Sequence, residues 1–264
     1  MRDIRAIMKS VSQPAIHLVH TSDPSLSHLG GLPRLPEAAS WPLRNGTPMG
    51  FLARLSLTEL HRVHPISWLP SEGALLFFYD IDEQPWGFDP KDRGAWMVLH
   101  APDLPEQLPP IESRPGEENA SLPHCNVNFH PVEIYPSCFR APASELRLTD
   151  EEFDQYYKLL DEPFDGRPKH QVSGFPSPVQ QDDMELECQL VTNGLYCGDD
   201  SGYEDPRANQ LSSGAGNWRL LLQLDTDDDL DVMWGDAGMI YYWVEEDKAK
   251  KGDFSNVWLV LQCG

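Results

Sequence analysis

Carboxylates at alternate positions can hold a hard cation, and this chain offers one such run, Asp225-Thr226-Asp227-Asp228-Asp229-Leu230-Asp231. Counted from Asp225, acids fall at loop positions 1, 3, 5 and 7, as they do in calcium loops. Position 6, however, is Leu230 where the sharp turn needs Gly, and position 12 is Asp236 where a bidentate Glu belongs. Tight calcium binding is therefore not expected, and a solvated turn between strands is the stronger reading. A second cluster, Gly198-Asp199-Asp200-Ser201-Gly202-Tyr203-Glu204-Asp205, joins four carboxylates to a tyrosine and two glycines. Such a loop suits protein contact, because Tyr supplies a rigid aromatic anchor, the acids supply charge and Gly permits close approach. Asp199, Asp200, Tyr203, Glu204 and Asp205 are thus candidate contact residues, with Asp227, Asp228 and Asp229 as a secondary patch. Equally, the 198–205 cluster reads as an ordinary mobile turn.

Catalytic signatures are few. The chain contains no G-x-S-x-G nucleophile elbow, no Walker loop, no H-E-x-x-H and no G-x-G-x-x-G. His124, Cys125 and His130 could offer metal ligands, but their spacing fits no common zinc pattern. A pair of carboxylates acting as acid and base stays open, since such pairs need not be close in sequence. No catalytic residue, cofactor or metal is assigned, and a binding protein is expected before an enzyme.

The elements that must position these residues come from a pattern that occurs twice. FLARLSL (residues 51–57), Gly73 with ALLFFYD (residues 74–80) and WMVL (residues 96–99) are echoed by LLLQLD (residues 220–225), Gly238 with MIYYWVE (residues 239–245) and WLVL (residues 258–261). The interval from Gly to Trp is 23 residues in the first copy and 20 in the second. Apolar runs rich in aromatic and branched residues, punctuated by Gly, Pro and Asp, read as strands with their turns, and their recurrence in order predicts a duplicated β unit. Two helices are expected outside the repeats. Residues 2–11 place Ile4, Ile7, Met8 and Val11 on one face, and Thr149 with Glu152 forms a capping box ahead of Phe153, Tyr156, Tyr157 and Leu160. Between the halves, residues 102–123 are rich in Pro and acid and read as an extended connector.

Charge narrows the partners. With 42 acidic side chains against 20 basic ones, the net charge of -22 repels a phosphate backbone, so direct nucleic-acid binding is not expected. The charge is uneven, because residues 182–247 hold 17 acids and two arginines, whereas the first 60 residues hold four acids and six bases. Such a surface either maintains solubility or meets a basic protein whose approach it steers. Five cysteines without a C-x-x-C pair argue for reduced thiols. No run approaches 18 apolar residues and the N-terminus lacks an apolar signal core, so a soluble cytoplasmic protein without a membrane partner is expected.

GGLPRLPEAASWP (residues 30–42), MGFLARLSLTEL, the block NWRLLLQLDTDDDLDVMWGDAGMIYYWVEED and FSNVWLVLQC together resemble the YwqG-like family of bacterial proteins over residues 30–263. One departure is Arg54, where the first copy would carry a Gln to match Gln223. Some members of that family resemble immunity proteins, which implies a protein that binds and neutralises a cognate secreted toxin, such as a basic type VI secretion nuclease. The expected fold is α+β and β-dominated, one domain over residues 1–264, with internally duplicated antiparallel units at about 30–101 and 172–263. A connector and a helix near 149–161 join them. The alternatives are a carboxylate-based hydrolase, or a small-ligand or peptide-binding module whose cleft between the repeats is lined by residues such as Trp96, Trp234 and Trp258.

Overall fold

The computed structural model describes residues 2–36, 39–102, 122–141 and 143–264. In chain order its strands are β1 (Gln13–His20), β2 (His28–Leu29), β3 (Leu43–Arg44), β4 (Thr47–Pro48), β5 (Gly50–Ser56) and β6 (Ala74–Tyr79). There follow β7 (Trp96–Ala101), β8 (Cys125–Ile134), β9 (Gln171–Val172), β10 (Trp218–Asp225), β11 (Met239–Glu245) and β12 (Trp258–Gln262). The helices are α1 (Ile4–Met8), α2 (Leu57–Val63), α3 (Asp150–Asp161), α4 (Met184–Thr192), α5 (Ala208–Leu211) and α6 (Glu246–Ala249).

Ten strands form one antiparallel sheet in the order β12-β11-β10-β9-β1-β8-β2-β5-β6-β7, while β3 and β4 pair separately. The long β1–β8 pair, in register from Gln13↔Ile134 to His20↔Val127, is the seam between two meanders, β5-β6-β7 and β10-β11-β12. Every residue of β5, β6 and β12 is buried, so these strands are covered on both faces and read as unbroken apolar runs. The two meanders share details. Each carries a register shift in its first strand, between Phe51 and Ala53 and between Leu220 and Leu222. Arg54 opposes His28 and donates to the Leu26 carbonyl; Gln223 opposes Gln171 and donates to the Lys169 carbonyl at 2.6 Å. In both cases the acceptor lies two residues ahead of the short neighbouring strand, so Arg54 fills the polar role that Gln223 fills in the other meander.

The two ends of the sheet meet. Trp96 of β7 and Trp258 of β12 stack edge to face with ring centroids 4.8 Å apart. Trp96 Nε1 donates to the Val257 carbonyl at 2.9 Å, and Trp258 Nε1 donates to the Gly87 carbonyl at 2.7 Å. The Leu261 amide also donates to the Trp86 carbonyl at 2.9 Å, so the segment at 86–88 caps the open edge of β12 and the sheet is nearly closed. Only Gly fits at 87, because a Cβ there would lie 1.9 Å from the Leu259 carbonyl oxygen. Trp96, Trp234 and Trp258 all belong to the main hydrophobic core, so the alternative in which they line a cleft is corrected: Trp96 and Trp258 fill the closure, and Trp234 packs against Tyr79.

Both expected helices form. Thr149 and Glu152 make the capping box of α3, and Arg2 grips Glu152 through Nε at 2.9 Å and Nη2 at 2.6 Å. The buried face of α3 is Glu152, Tyr156 and Leu159, one step round from the expected stripe. Phe153 and Tyr157 are exposed instead, and α1 buries Ile4 and Met8 but leaves Ile7 outside. The connector lies outside the described residues except at its ends. Five cysteines are free thiols, and no helix among the described residues is long and apolar enough to cross a membrane.

Candidate functional site

The sequence after β9 turns back over the sheet as α4 and the loop that follows, and this puts the acid of the second half against the capping segment of the first. Between them lies a cavity of about 710 Å³. One wall is Trp86 and Phe88; the Phe88 carbonyl accepts the Cys197 amide at 2.8 Å, which ties the two halves together at this point. A second wall is β12 with Gln262, whose Oε1 accepts the Val179 and Gln180 amides at 3.0 Å each. The third is the 197–203 loop, and the floor is the first turn of α4 with Asp183 and Glu187. Gly202 is a requirement of this loop, since a Cβ there would lie 2.1 Å from the Tyr196 carbonyl oxygen.

Four carboxylates face this space, Asp183, Glu187, Asp199 and Asp200, and none of the residues lining it is basic. Asp183 precedes α4 and its carbonyl accepts the Glu187 amide at 3.0 Å, so the two acids stand one helical turn apart. Glu187 makes no hydrogen bond or ion pair among the described residues, and Asp183 Oδ1 is a buried oxygen without a hydrogen-bond partner. Protein surrounds the Glu187 carboxyl on nearly every side although solvent reaches it from the cavity, and burial pushes it up to about 8, with Asp183 adding to the rise. Burial, reinforced by Asp182 and Glu185, also raises Asp183. The Cys197 thiol goes up to about 12 by burial and the Tyr203 phenol rises for the same reason. Cys197 is consequently an inert thiol at neutral pH. Arg140 is fully engaged elsewhere, meeting Asp182 at 2.5 Å and Glu185 at 2.7 Å.

The candidate contact residues divide. Asp199, Asp200 and Tyr203 line the cavity, whereas Glu204 is exposed beyond it and Asp205 is held by Arg207 at 3.0 Å. Asp228 and Asp229 are exposed, but Asp227 is buried and cannot form part of a surface patch without rearrangement. Sequence reading missed Asp183 and Glu187. The signal was there: Met184, Glu187, Cys188 and Val191 follow the i, i+3, i+4, i+7 spacing, so Glu187 stands on an apolar stripe where an acid is costly.

Asp227 anchors a second constellation. Its Oδ2 lies 2.8 Å from His170 Nε2 and 3.1 Å from His20 Nε2, the latter off the hydrogen-bonding axis, while its Oδ1 accepts the Asp229 amide at 2.9 Å. His20 Nδ1 meets Asp229 at 3.2 Å and the two imidazoles stack at 5.8 Å. Burial opposes the charged form of Asp227, yet the hydrogen bond from His170 and the close approach of His20 outweigh it and hold the carboxyl far below its usual range. The contact with Asp227, only partly offset by burial, raises His20. These three ligand atoms lie within 4.8 Å of one another, close enough for a metal ion. The tautomer opposes that use. The Asp225 amide donates to His170 Nδ1 at 3.0 Å, which leaves the proton on Nε2, pointed at Asp227, with no lone pair for a metal. The group is a hydrogen-bonded tie between β1, the entry to β9 and the loop after β10. The run 225–231 is otherwise committed to the protein: Asp225 Oδ2 accepts the Lys169 amide at 2.8 Å, and Asp231 takes a left-handed φ of 50°. His124 and Cys125 are not brought together on an ion, because His124 meets Asn126 at 3.1 Å and Cys125 reaches the Asp229 carbonyl at 3.6 Å.

No curated protein matches the chain. A family model does, over residues 27–263, which spans both meanders, β8 of the seam and every residue of the cavity, while β1 precedes the match. The chain belongs to the DUF1963 family, a domain of unknown function.

Proposed function

We propose that this protein is a YwqG-like immunity protein that captures a basic secreted toxin, such as a type VI secretion nuclease, with the acidic cavity as the point of capture. The observation that supports it is the cavity itself: both halves build it, four acids line it and none of its lining residues is basic. A charged cleft walled by protein focuses its field outward and draws in a partner of opposite sign. Asp199 and Asp200 stand where they can steer, and Tyr203 is a half-buried aromatic of the kind that anchors an interface. We also infer that the matched register shifts and the matched roles of Arg54 and Gln223 descend from one duplicated unit.

The test is co-purification with the product of the neighbouring gene, followed by kinetics. Charge reversal at Asp199 and Asp200 is expected to slow association and flatten its salt dependence, while Tyr203→Ala weakens the complex by more than about tenfold. If both variants bind and protect cells like the parent, the capture point is elsewhere.

One observation favours a second reading. A carboxyl at about 8 beside a second carboxyl is how a general acid is prepared at neutral pH, so a carboxylate-based hydrolase would use Glu187 and Asp183. Turnover of chromogenic glycosides or esters that Glu187→Gln abolishes would replace the binding reading.

A further inference from the structure

Asp183 and Glu187 are half-buried acids that anchor no element of the fold among the described residues. Neither carboxyl holds a helix end: Asp183 makes no side-chain capping bond and its Oδ1 is buried without a partner, and Glu187, in the first turn of α4, makes no hydrogen bond or ion pair among the described residues. An unpaired buried oxygen and a carboxyl enclosed on most sides, one turn apart on an open cavity, cost the fold stability, and a donor brought by a ligand would offset that cost. Beside them stands Trp86, its ring partly exposed and held edge to face against Phe88 at 6.0 Å, with Phe88 braced in turn by Tyr196 at 5.7 Å. Carboxylate pair, aromatic wall and absence of any basic residue have one complement, a planar, weakly hydrated cation that hydrogen-bonds at its edge and stacks on its face.

We propose that the cavity is a receptor for one arginine side chain of the captured protein, with Asp183 and Glu187 accepting from the guanidinium and Trp86 covering its face. This rests on the proposed capture function and names what is captured. About 710 Å³ falls within the roughly 300–1,000 Å³ of ordinary ligand sites and exceeds one head group, so the segment bearing the arginine enters with it. Lysine is a poorer match, since its compact ammonium is strongly hydrated and cannot bridge two carboxyls with a planar fork.

Binding then moves a proton. In the free protein at neutral pH the Glu187 carboxyl is expected to hold its proton, because it is buried and the groups around it, Asp183 just ahead of α4, Cys188 on α4 and Cys197 and Tyr203 on the loop, with Asp199 and Asp200 also on the wall, include no cation. When the guanidinium arrives, the carboxyl ionises and its proton passes to the buffer. Affinity for arginine is therefore expected to rise about tenfold per pH unit below about 8 and to level off above it.

The experiment is calorimetric titration of the whole protein with N-acetylarginine amide, in buffers of different ionisation enthalpy, with N-acetylcitrulline amide as the uncharged isostere. The expected result is binding of the arginine probe with release of close to one proton at pH 7, and no binding of citrulline. Glu187→Gln is expected to abolish the proton release and the pH dependence, and Trp86→Ala to weaken the probe by several fold with release intact, each variant first shown folded by near-ultraviolet circular dichroism. Absence of arginine binding at millimolar concentration, or binding without proton release that Glu187→Gln leaves unchanged, overturns the proposal. The two readings separate cleanly: arginine binding in a protein that protects against no toxin sustains this inference and removes the immunity reading, whereas a toxin complex indifferent to Glu187→Gln removes this inference alone.

Discussion

Replacing Glu187 with Gln isolates the cost of keeping an acid at the floor of the cavity. The carboxyl moves from an ordinary 4.5 in the unfolded chain to about 8 in the fold. At full value this shift opposes the ionised fold by on the order of 5 kcal/mol; solvent in the open cavity screens the site and reduces the expected figure to roughly 2 kcal/mol. Because the folded value is the higher one, the folded state binds the proton more tightly. Its contribution is fully present below pH 4.5 and is lost as pH rises to about 8. Gln cannot ionise, so the variant should match the parent near pH 5 and exceed it by roughly 2 kcal/mol at pH 9. Urea denaturation of both proteins at half-unit pH steps, compared as the difference in unfolding free energy, measures this directly. A difference that stays flat from pH 5 to 9 would refute the reasoning, since it would mean that Glu187 titrates like a surface acid.

Three further outcomes follow from the same geometry. Asp227→Asn should cost roughly 2–4 kcal/mol near pH 6, because it removes a buried, charged acceptor from His170 and His20. In the parent, the depressed Asp227 stabilises above pH 3.8 and loses that as pH falls, while the raised His20 stabilises below 6.5 and loses that as pH climbs; thermal melts across pH 3 to 8 should show the variant flatter on both sides. Trp258→Ala empties the closure of the sheet and should cost about 3–5 kcal/mol in chemical denaturation, with Trp96 becoming more exposed to an aqueous quencher. Calcium should bind the 225–231 loop more weakly than about micromolar in calorimetry, because Asp225 and Asp227 already accept protein donors.

How much of this was legible depends on whether the cause is local. The six apolar runs coincide with β5, β6, β7, β10, β11 and β12, because strands covered wholly or largely on both faces, as all but β7 are, leave an unbroken apolar record that Gly and Asp punctuate. The α3 capping box was legible for the same reason, being a contact between residues three apart. The stripe behind it was misplaced by one step, since which face of an amphipathic helix is buried depends on α1 and Arg2, about 150 residues away. β1, β8 and β9 left little trace: β8 alternates exposed and half-buried residues and carries Pro131. Their absence hid the tie at Asp227, whose partners His20 and His170 are 150 residues apart and meet only because β1 pairs with β9. Asp199, Asp200 and Tyr203, singled out by composition alone, line the cavity, whereas the acids beside them needed a helix that had not been placed.

The cavity is a product of the closure and cannot survive without it. Its aromatic wall, Trp86 and Phe88, belongs to the first half, and its charge belongs to the second. What holds the two together is the strip of backbone at 86–88, bonded through Trp86 to Leu261, through Gly87 to Trp258 and through Phe88 to Cys197. Each of those bonds is made by a residue that also lines or abuts the site. A larger residue at Gly87 would therefore push the strip off β12, and the same displacement would open the sheet edge and pull the aromatic wall away from Asp183 and Glu187. Stability and binding should fall together in such a variant, while Glu187→Gln separates them, gaining the first at high pH and losing the second. The acids of the cavity thus weaken the fold at high pH, whereas its aromatic strip helps to close the sheet.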